Sequence, residues 1–458
     1  MNYQSGVREC LMELLFGTEE IPEAVLRCGD RIGELGIWYQ FSRNDVVSSC
    51  PDAARRRNRL GHKGIPLWDE LKSFLGEFED PAGARRVFLA HCRGDRALDL
   101  HQVNRVIQAS GEIRRATPAT AERLGVQYGT VHPFIGGDVL QVFDSELRQP
   151  ISVPGTVMTN AGNRTWAVEV DPAELALKSP NSRWADIVKP EREGDSTDWG
   201  VRKPETIGIL TGNPCDSGLE LCVAINSEIR RLLGKNSLGD VSMPRIVVVS
   251  TPEIGISMEM DRREIPLRKA LLRAVDELCA AGATILAHPA NTTHYFAPDM
   301  QARARENGAR FISMVEATSE KLRAAGVKEI TLLGTGFVTN FEQGRSAYKD
   351  AFAGLTVHRA SPHGLKKVHD LGYAVQQVGP TTRCLNWMRD LLREEVPASC
   401  THVVLAMTEF APVRRKLKAG GRQDKILIDP MDIYAEAIAC EYLGVRPSWI
   451  KDQVTSSL

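Results

Sequence analysis

The chain of 458 residues has no pair of cysteines at Cys-X-X-Cys spacing. Its ten cysteines are scattered from Cys10 to Cys440, which argues against a structural zinc site and against a secreted disulfide framework. No apolar run is long enough to span a bilayer. The opening stretch, Met1 to Gly17, is interrupted by Arg8, Glu9 and Glu13 and lacks the apolar core and cleavage pattern of a signal peptide. A cytoplasmic protein with reduced thiols, no membrane contact and no metal is the expectation. Repeats of solenoid length are missing as well. So is an excess of charge of either sign: the net charge is −1, which excludes a DNA-coating protein and confines any nucleic-acid contact to a local patch. What remains is an ordinary globular balance, 43% apolar and 25% charged, on a chain long enough for two or three domains.

The clearest break in composition is Lys178 to Thr206, rich in Pro, Ser and charge. It divides the chain into a helical extension (1–45), a first domain (46–180), a linker (181–205) and a second domain (206–458). In the first domain Val87 to Ala90, Val139 to Phe143 and Trp166 to Val170 read as strands, and Val103, Val106 and Ile107 as one helix face, an α+β pattern. The second domain alternates. Ile207 to Leu210, Ile246 to Val249, Thr284 to Ala287, Ile330 to Leu333, Val403 to Leu405 and Ile426 to Ile428 are buried-strand runs, and helical segments separate most of them. Alternation predicts a parallel sheet covered on both faces, with ligands at the carboxyl ends of the strands.

Those strand ends carry the informative residues. Thr211-Gly212-Asn213-Pro214-Cys215 follows the first strand and His288-Pro289-Ala290-Asn291-Thr292-Thr293-His294 the third. Leu333-Gly334-Thr335-Gly336, Met407-Thr408-Glu409 and Asp429-Pro430-Met431-Asp432-Ile433-Tyr434-Ala435-Glu436-Ala437 come later. In this order the segments resemble the aspartate/glutamate racemase family from about Thr206 to Gly444. The resemblance implies a two-lobed parallel-sheet fold, no cofactor, and two cysteines on opposite faces of a substrate α-carbon, one taking a proton and the other returning one. At those two positions this chain has Ala290 and Met407, neither of which exchanges a proton. An amino-acid-binding domain without racemisation is the first reading. The alternative is an isomerase in which Cys215, His288 or His294 supplies the chemistry. Gly212 and Asn213 could offer backbone N–H groups to a small carboxylate. Asn291, Thr292, Thr408 and Glu409 stand at positions through which the family holds substrate. The same Asn and Thr residues could equally be helix caps.

The first domain has its own likeness, on Leu71-Lys72-Ser73-Phe74-Leu75, on Gly129 to Pro133 as a Gly-X-X-X-Pro loop, and on Thr159-Asn160-Ala161-Gly162-Asn163 before Trp166. These resemble the editing domain of bacterial prolyl-tRNA synthetases and its free-standing YbaK-type relatives, which hydrolyse mischarged aminoacyl-tRNA. The resemblance gives Lys72 the role of holding the terminal phosphate or ester carbonyl. It gives Gly129 and Pro133 a loop whose N–H groups meet the developing negative charge. Arg55, Arg56, Arg57, Arg59 and Lys63 form a basic run that could contact the acceptor stem. The expected partners are therefore an aminoacyl-tRNA and a small amino acid or carboxylate, with a homodimer as a family expectation. A trans-acting deacylase leads. An isomerase, and a protein that binds or diverts aminoacyl-tRNA without hydrolysis, are the rivals.

Overall fold

Apolar runs that alternate with polar residues or with helices settle, in a computed structural model, into two units, Met1–Lys203 and Pro204–Leu458. The structure describes residues 21–59, 62–127, 129–136, 139–148, 155–190, 205–234, 237, 239–255, 257, 260–418 and 425–450.

The first unit has two sheets. One is antiparallel and contains β1 (Tyr39–Arg43), β8 (Val157–Asn160) and β9 (Trp166–Val170), with β9 central. The other is mixed and contains β4 (Leu71–Glu79), β5 (Arg85–Arg93), β6 (Arg114–Arg115), β7 (Leu140–Asp144) and β10 (Ser182–Ala185), in the order β10-β7-β5-β4-β6. A short hairpin joins β2 (Asn58–Arg59) to β3 (His62–Lys63). Inward residues of both sheets share one cluster, including Phe41, Leu71, Phe143 and Trp166.

Two expectations are corrected here. Residues 21–45 are not an extension. Helix Glu23–Leu35 buries Val25, Cys28 and Ile32 in the shared cluster, and β1 pairs with β9 along its whole length, burying Phe41. The linker does not begin at 181. Ser182 to Ala185 run parallel to β7, Ile187 is buried with its N–H on Asp144 Oδ2 at 2.9 Å, and the Lys189 N–H reaches Ala97 O at 2.8 Å. Polar flanks hid this edge strand, which Trp184 and Ile187 anchor. Residues 191–204, the rest of the expected linker, lie outside the described residues.

The second unit contains two all-parallel sheets. The first lobe holds β11 (Thr206–Thr211), β12 (Arg245–Ser250), β13 (Ile285–Ala287) and β14 (Arg310–Phe311), in the order β12-β11-β13-β14. The second lobe holds β15 (Glu329–Gly334), β16 (Thr356–Arg359), β17 (His402–Ala406) and β18 (Ile426–Ile428), in the order β16-β15-β17-β18. Each lobe thus places its first strand between its second and third. The order reverses there, so a crevice opens at the carboxyl ends of the first and third strands of each lobe. The last helix after each lobe packs on the other. Helix Pro430–Leu443 follows β18 yet buries Met431, Tyr434 and Ile438 among Ile207, Ile209 and Ile285. Helix Met314–Ala324 follows β14 yet sends Val315 and Leu322 to Ile330 and Leu332. This exchange fixes the two crevices face to face.

Candidate functional site

The crevice of the second unit is lined from four strand ends. Asn213 comes from beyond β11, Ala290, Asn291 and Thr292 from beyond β13, Thr335 from beyond β15, and Ala406 to Glu409 from the end of β17, with Ser257 alongside. Thr292 and Thr335 join the lobes by a hydroxyl–hydroxyl hydrogen bond of 3.1 Å. Tyr348 donates its phenolic proton to Asn291 Oδ1 at 2.6 Å, so Asn291 serves the crevice rather than a cap. Asn213 donates to Ser257 Oγ. Met407 runs into the second-lobe core over Gly372, where an added Cβ would meet its methyl at 2.5 Å. The crevice is partly open to solvent and narrow, with about 20 Å³ reachable by the centre of a water-sized sphere.

Gly212 lies behind the crevice rather than in it. Its φ is +140° and an added Cβ would stand 2.1 Å from Thr251 O, so only glycine fits. The helix beyond it starts at Ser217, and its leading N–H groups are already taken: Ser217 by Pro214 O at 3.2 Å and Gly218 by Thr211 Oγ1 at 3.1 Å. The N–H groups of Ser217 and Gly218 are therefore not offered to the crevice.

Three alternative proton carriers were weighed from the sequence. Cys215 is exposed and does not line the crevice. His288 donates from Nδ1 to Leu210 O at 3.0 Å and accepts at Nε2 from Thr293 Oγ1 at 2.5 Å. His294 donates from Nδ1 to Ala290 O at 2.8 Å and accepts at Nε2 from the Met314 N–H at 3.0 Å. Both rings are fully buried and locked as neutral tautomers. Burial pushes His288 down to about 3 and His294 to about 4. They orient the loop. The ionisable group that does face the crevice is Glu409. Gln376 donates to its Oε1 at 2.6 Å and Thr408 to its Oε2 at 3.4 Å, while burial holds its carboxyl above the usual range.

The first unit has a larger cleft, about 320 Å³, along the edge of β4. Lys72 and Gly129, brought together from separate segments, both line it, with Glu70, Ser73, Arg115 and Asn160. Lys72 donates to Arg96 O, which spends one of three ammonium protons. Gly129 has φ +84° and its carbonyl accepts from Asn160 Nδ2 at 3.2 Å. Pro133 is buried beyond the lining, where it closes the loop. Strand β6 covers β4 only from Gly76 onward, and Leu75 O takes the Ala116 N–H. The same alternation turns the Ser73 backbone toward the cleft.

The basic run is split by burial. Arg57 is fully buried, with both ends of its guanidinium on Glu70 at 3.0 and 2.7 Å. Arg59 is buried against Asp69 at 2.6 Å and Glu169 at 3.2 Å. These two are corrected from RNA contacts to internal ion pairs; the hairpin pulls alternate residues inward. Arg55 is exposed, Arg56 pairs with Asp52 at 2.6 Å, and Lys63 is exposed beside Asp45 at 2.5 Å.

Arg115, Glu70 and Ser73 are among the lining residues that sequence reasoning gave no role. Arg115 sits at the cleft beside Phe74, 6.0 Å from its ring centre. Glu70 was masked by its neighbours' polarity. Ser73 was noted only as part of a motif. It faces His91 across the β4–β5 pair, Oγ to Nδ1 at 3.0 Å, and His91 Nε2 meets Gln141 Oε1 at 3.1 Å. An amide oxygen only accepts, so His91 carries its proton on Nε2 and Ser73 donates to Nδ1. Burial pushes His91 down to about 3. The array is thus a poor base, and it leaves the lone pairs of Ser73 for a donor in the cleft.

Among the described residues no group of three His, Cys, Asp or Glu could hold a metal, and no helix is long and apolar enough to cross a membrane. Among solved structures, a candidate Asp/Glu racemase from Yersinia pestis is 21% identical, over 52% of this chain and 99% of that one, with a TM-score of 0.42. The aspartate racemase of Picrophilus torridus is 17% identical, over 53% and 96%, with a TM-score of 0.41. A candidate trans-editing enzyme for prolyl tRNA synthetase is 19% identical, over 37% of this chain and 100% of that one, with a TM-score of 0.31. Residues 216–438 match the Asp/Glu/Hydantoin racemase family, and the second unit therefore carries a domain of that family.

Proposed function

We propose that the protein is a trans-acting aminoacyl-tRNA deacylase whose racemase-family domain binds an amino acid without racemising it. The observation that carries the first half is the meeting of Lys72 with the Gly129 loop in one open cleft. These are the two elements that the editing-domain resemblance pairs. A lysine can hold the terminal phosphate or the ester carbonyl as a point charge. A glycine loop lets N–H groups approach the oxygen on which charge develops. Water is the attacking group, and neither metal nor cysteine is demanded. Arg115 adds a second cation suited to a phosphate. Exposed Arg55 and Lys63 offer what remains of the basic run to the acceptor stem.

The second half rests on what lines the other crevice. Ala290 and Met407 occupy the positions that the racemase resemblance gives to proton carriers, and among the described residues no cysteine lines that crevice. Glu409 favours a second reading, isomerisation by a carboxyl group, because a buried carboxyl of raised pKa is a recognised acid/base device. One group on one face does not supply both proton transfers, so we place this reading second. Incubation with a panel of charged tRNAs tests the deacylase. Release of amino acid by the wild type and its loss in Lys72→Ala is expected. Unchanged tRNAs across the panel would end the reading.

A further inference from the structure

The charge inventory of the second-unit crevice restricts its ligand. Among the described residues its lining holds one carboxyl group, Glu409, and no lysine, arginine or histidine. The nearby bases are committed elsewhere. Arg414, on the helix that starts beside Glu409, pairs with Asp429 at 3.3 Å and with Asp432. His288 and His294 are locked neutral by the bonds given above. The donors that remain are uncharged and lie on one side. With its Oδ1 accepting from Tyr348, Asn291 has its amide N–H groups to offer. Thr292 and Thr335 share one hydrogen bond between two hydroxyls, which leaves one O–H proton over. On the β17 side stands Glu409, an acceptor for a cation.

We propose that this crevice takes a small zwitterionic amino acid with an uncharged side chain, such as glycine or alanine, and rejects aspartate and glutamate. The α-carboxylate would meet Asn291 and the Thr292–Thr335 pair, and the ammonium would meet Glu409. A second carboxylate would find no cation to offset its desolvation, and it would face the like charge of Glu409. Size acts in the same direction, because the crevice is narrow, with about 20 Å³ reachable by the centre of a water-sized sphere, and a short side chain demands less of it. The inference rests on the reading of the crevice as an amino-acid site and adds which amino acids it admits.

Calorimetric titration of the full chain with glycine, L-alanine, L-aspartate and L-glutamate tests it. Glycine or alanine should bind about tenfold or more tighter than either acidic amino acid. Glu409→Gln should weaken alanine binding about tenfold and narrow the gap to aspartate. Should that variant not fold, Thr292→Val removes a donor instead and should weaken alanine several-fold. Aspartate bound as tightly as alanine would overturn the selectivity and leave the amino-acid site standing. No binding of any of the four would remove both.

Discussion

The two clefts of this protein hold opposite chemistry. The first is wide, about 320 Å³, with Lys72 and Arg115 on its lining beside Glu70, which is paired to Arg57, and a glycine loop. The second is narrow, about 20 Å³, and among the described residues its lining has a buried carboxyl and no cation. On the proposed reading one takes a polyanion and the other a compact zwitterion. The difference also appears in the imidazoles. In both units histidines lie next to a cleft lining, and in both they are buried, neutral and employed as hydrogen-bond fixtures: His91 behind Ser73, and His288 and His294 behind Ala290. A histidine beside a cleft is therefore not by itself a base. Its other nitrogen and its burial decide.

Lys72→Ala should break the contrast most strongly. Aminoacyl-tRNA hydrolysis is expected to fall about a hundredfold or more, with alanine binding in the second crevice unchanged. Rate and titration on the same preparation check both halves. Next in size is Ala290→Cys with Met407→Cys. Loss of a general acid or base costs about a hundred- to ten-thousand-fold, so restoring both should raise α-proton exchange well above the wild-type background. Exchange is read by deuterium incorporation into alanine, and no gain would show that the crevice does not present a Cα between these positions. Ser73→Ala should cost less, about tenfold, in KM rather than kcat, because the hydroxyl accepts from the substrate and does not attack it. A covalent acyl-Ser73 adduct in mass spectra would contradict that role.

The smallest effect concerns acid. His91, His132, His288 and His294 are pushed by burial to about 3 or 4 from an ordinary 6.5. The unfolded chain then binds more protons than the native one between those values. The contribution of these rings to stability is therefore full above about pH 6.5 and falls as the pH drops toward 4. Thermal unfolding should show that slope, and His132→Gln should reduce it slightly. The same slope in wild type and His132→Gln would mean that this ring is not buried as a neutral group.

Much of the second unit could be read from the sequence, because parallel strands buried on both faces leave continuous apolar runs. Ile426 to Ile428 is the same span in both, and Ile207 to Leu210 falls inside β11. The strand-end residues followed, since chain order in such a sheet fixes which loops meet. Gly212 is required by the approach of Thr251 O, and such a glycine looks the same in sequence as one that cradles a ligand. The first unit was harder. Strand β1 stood behind a helix and β10 inside a polar segment, and edge strands of four or five residues carry little periodicity. The arginine run illustrates the general problem. Sequence gives five cations side by side, and only the β2–β3 hairpin reveals that Arg57 and Arg59 turn inward to Glu70, Asp69 and Glu169.

The central claim is that chemistry belongs to the first cleft and binding to the second. One sample of the full chain, incubated with a panel of aminoacyl-tRNAs and, in parallel, with free amino acids in deuterium oxide, tests it directly. Release of amino acid from at least one tRNA without deuterium at any α-carbon is the predicted result. Deuterium exchange with every tRNA left charged would contradict it.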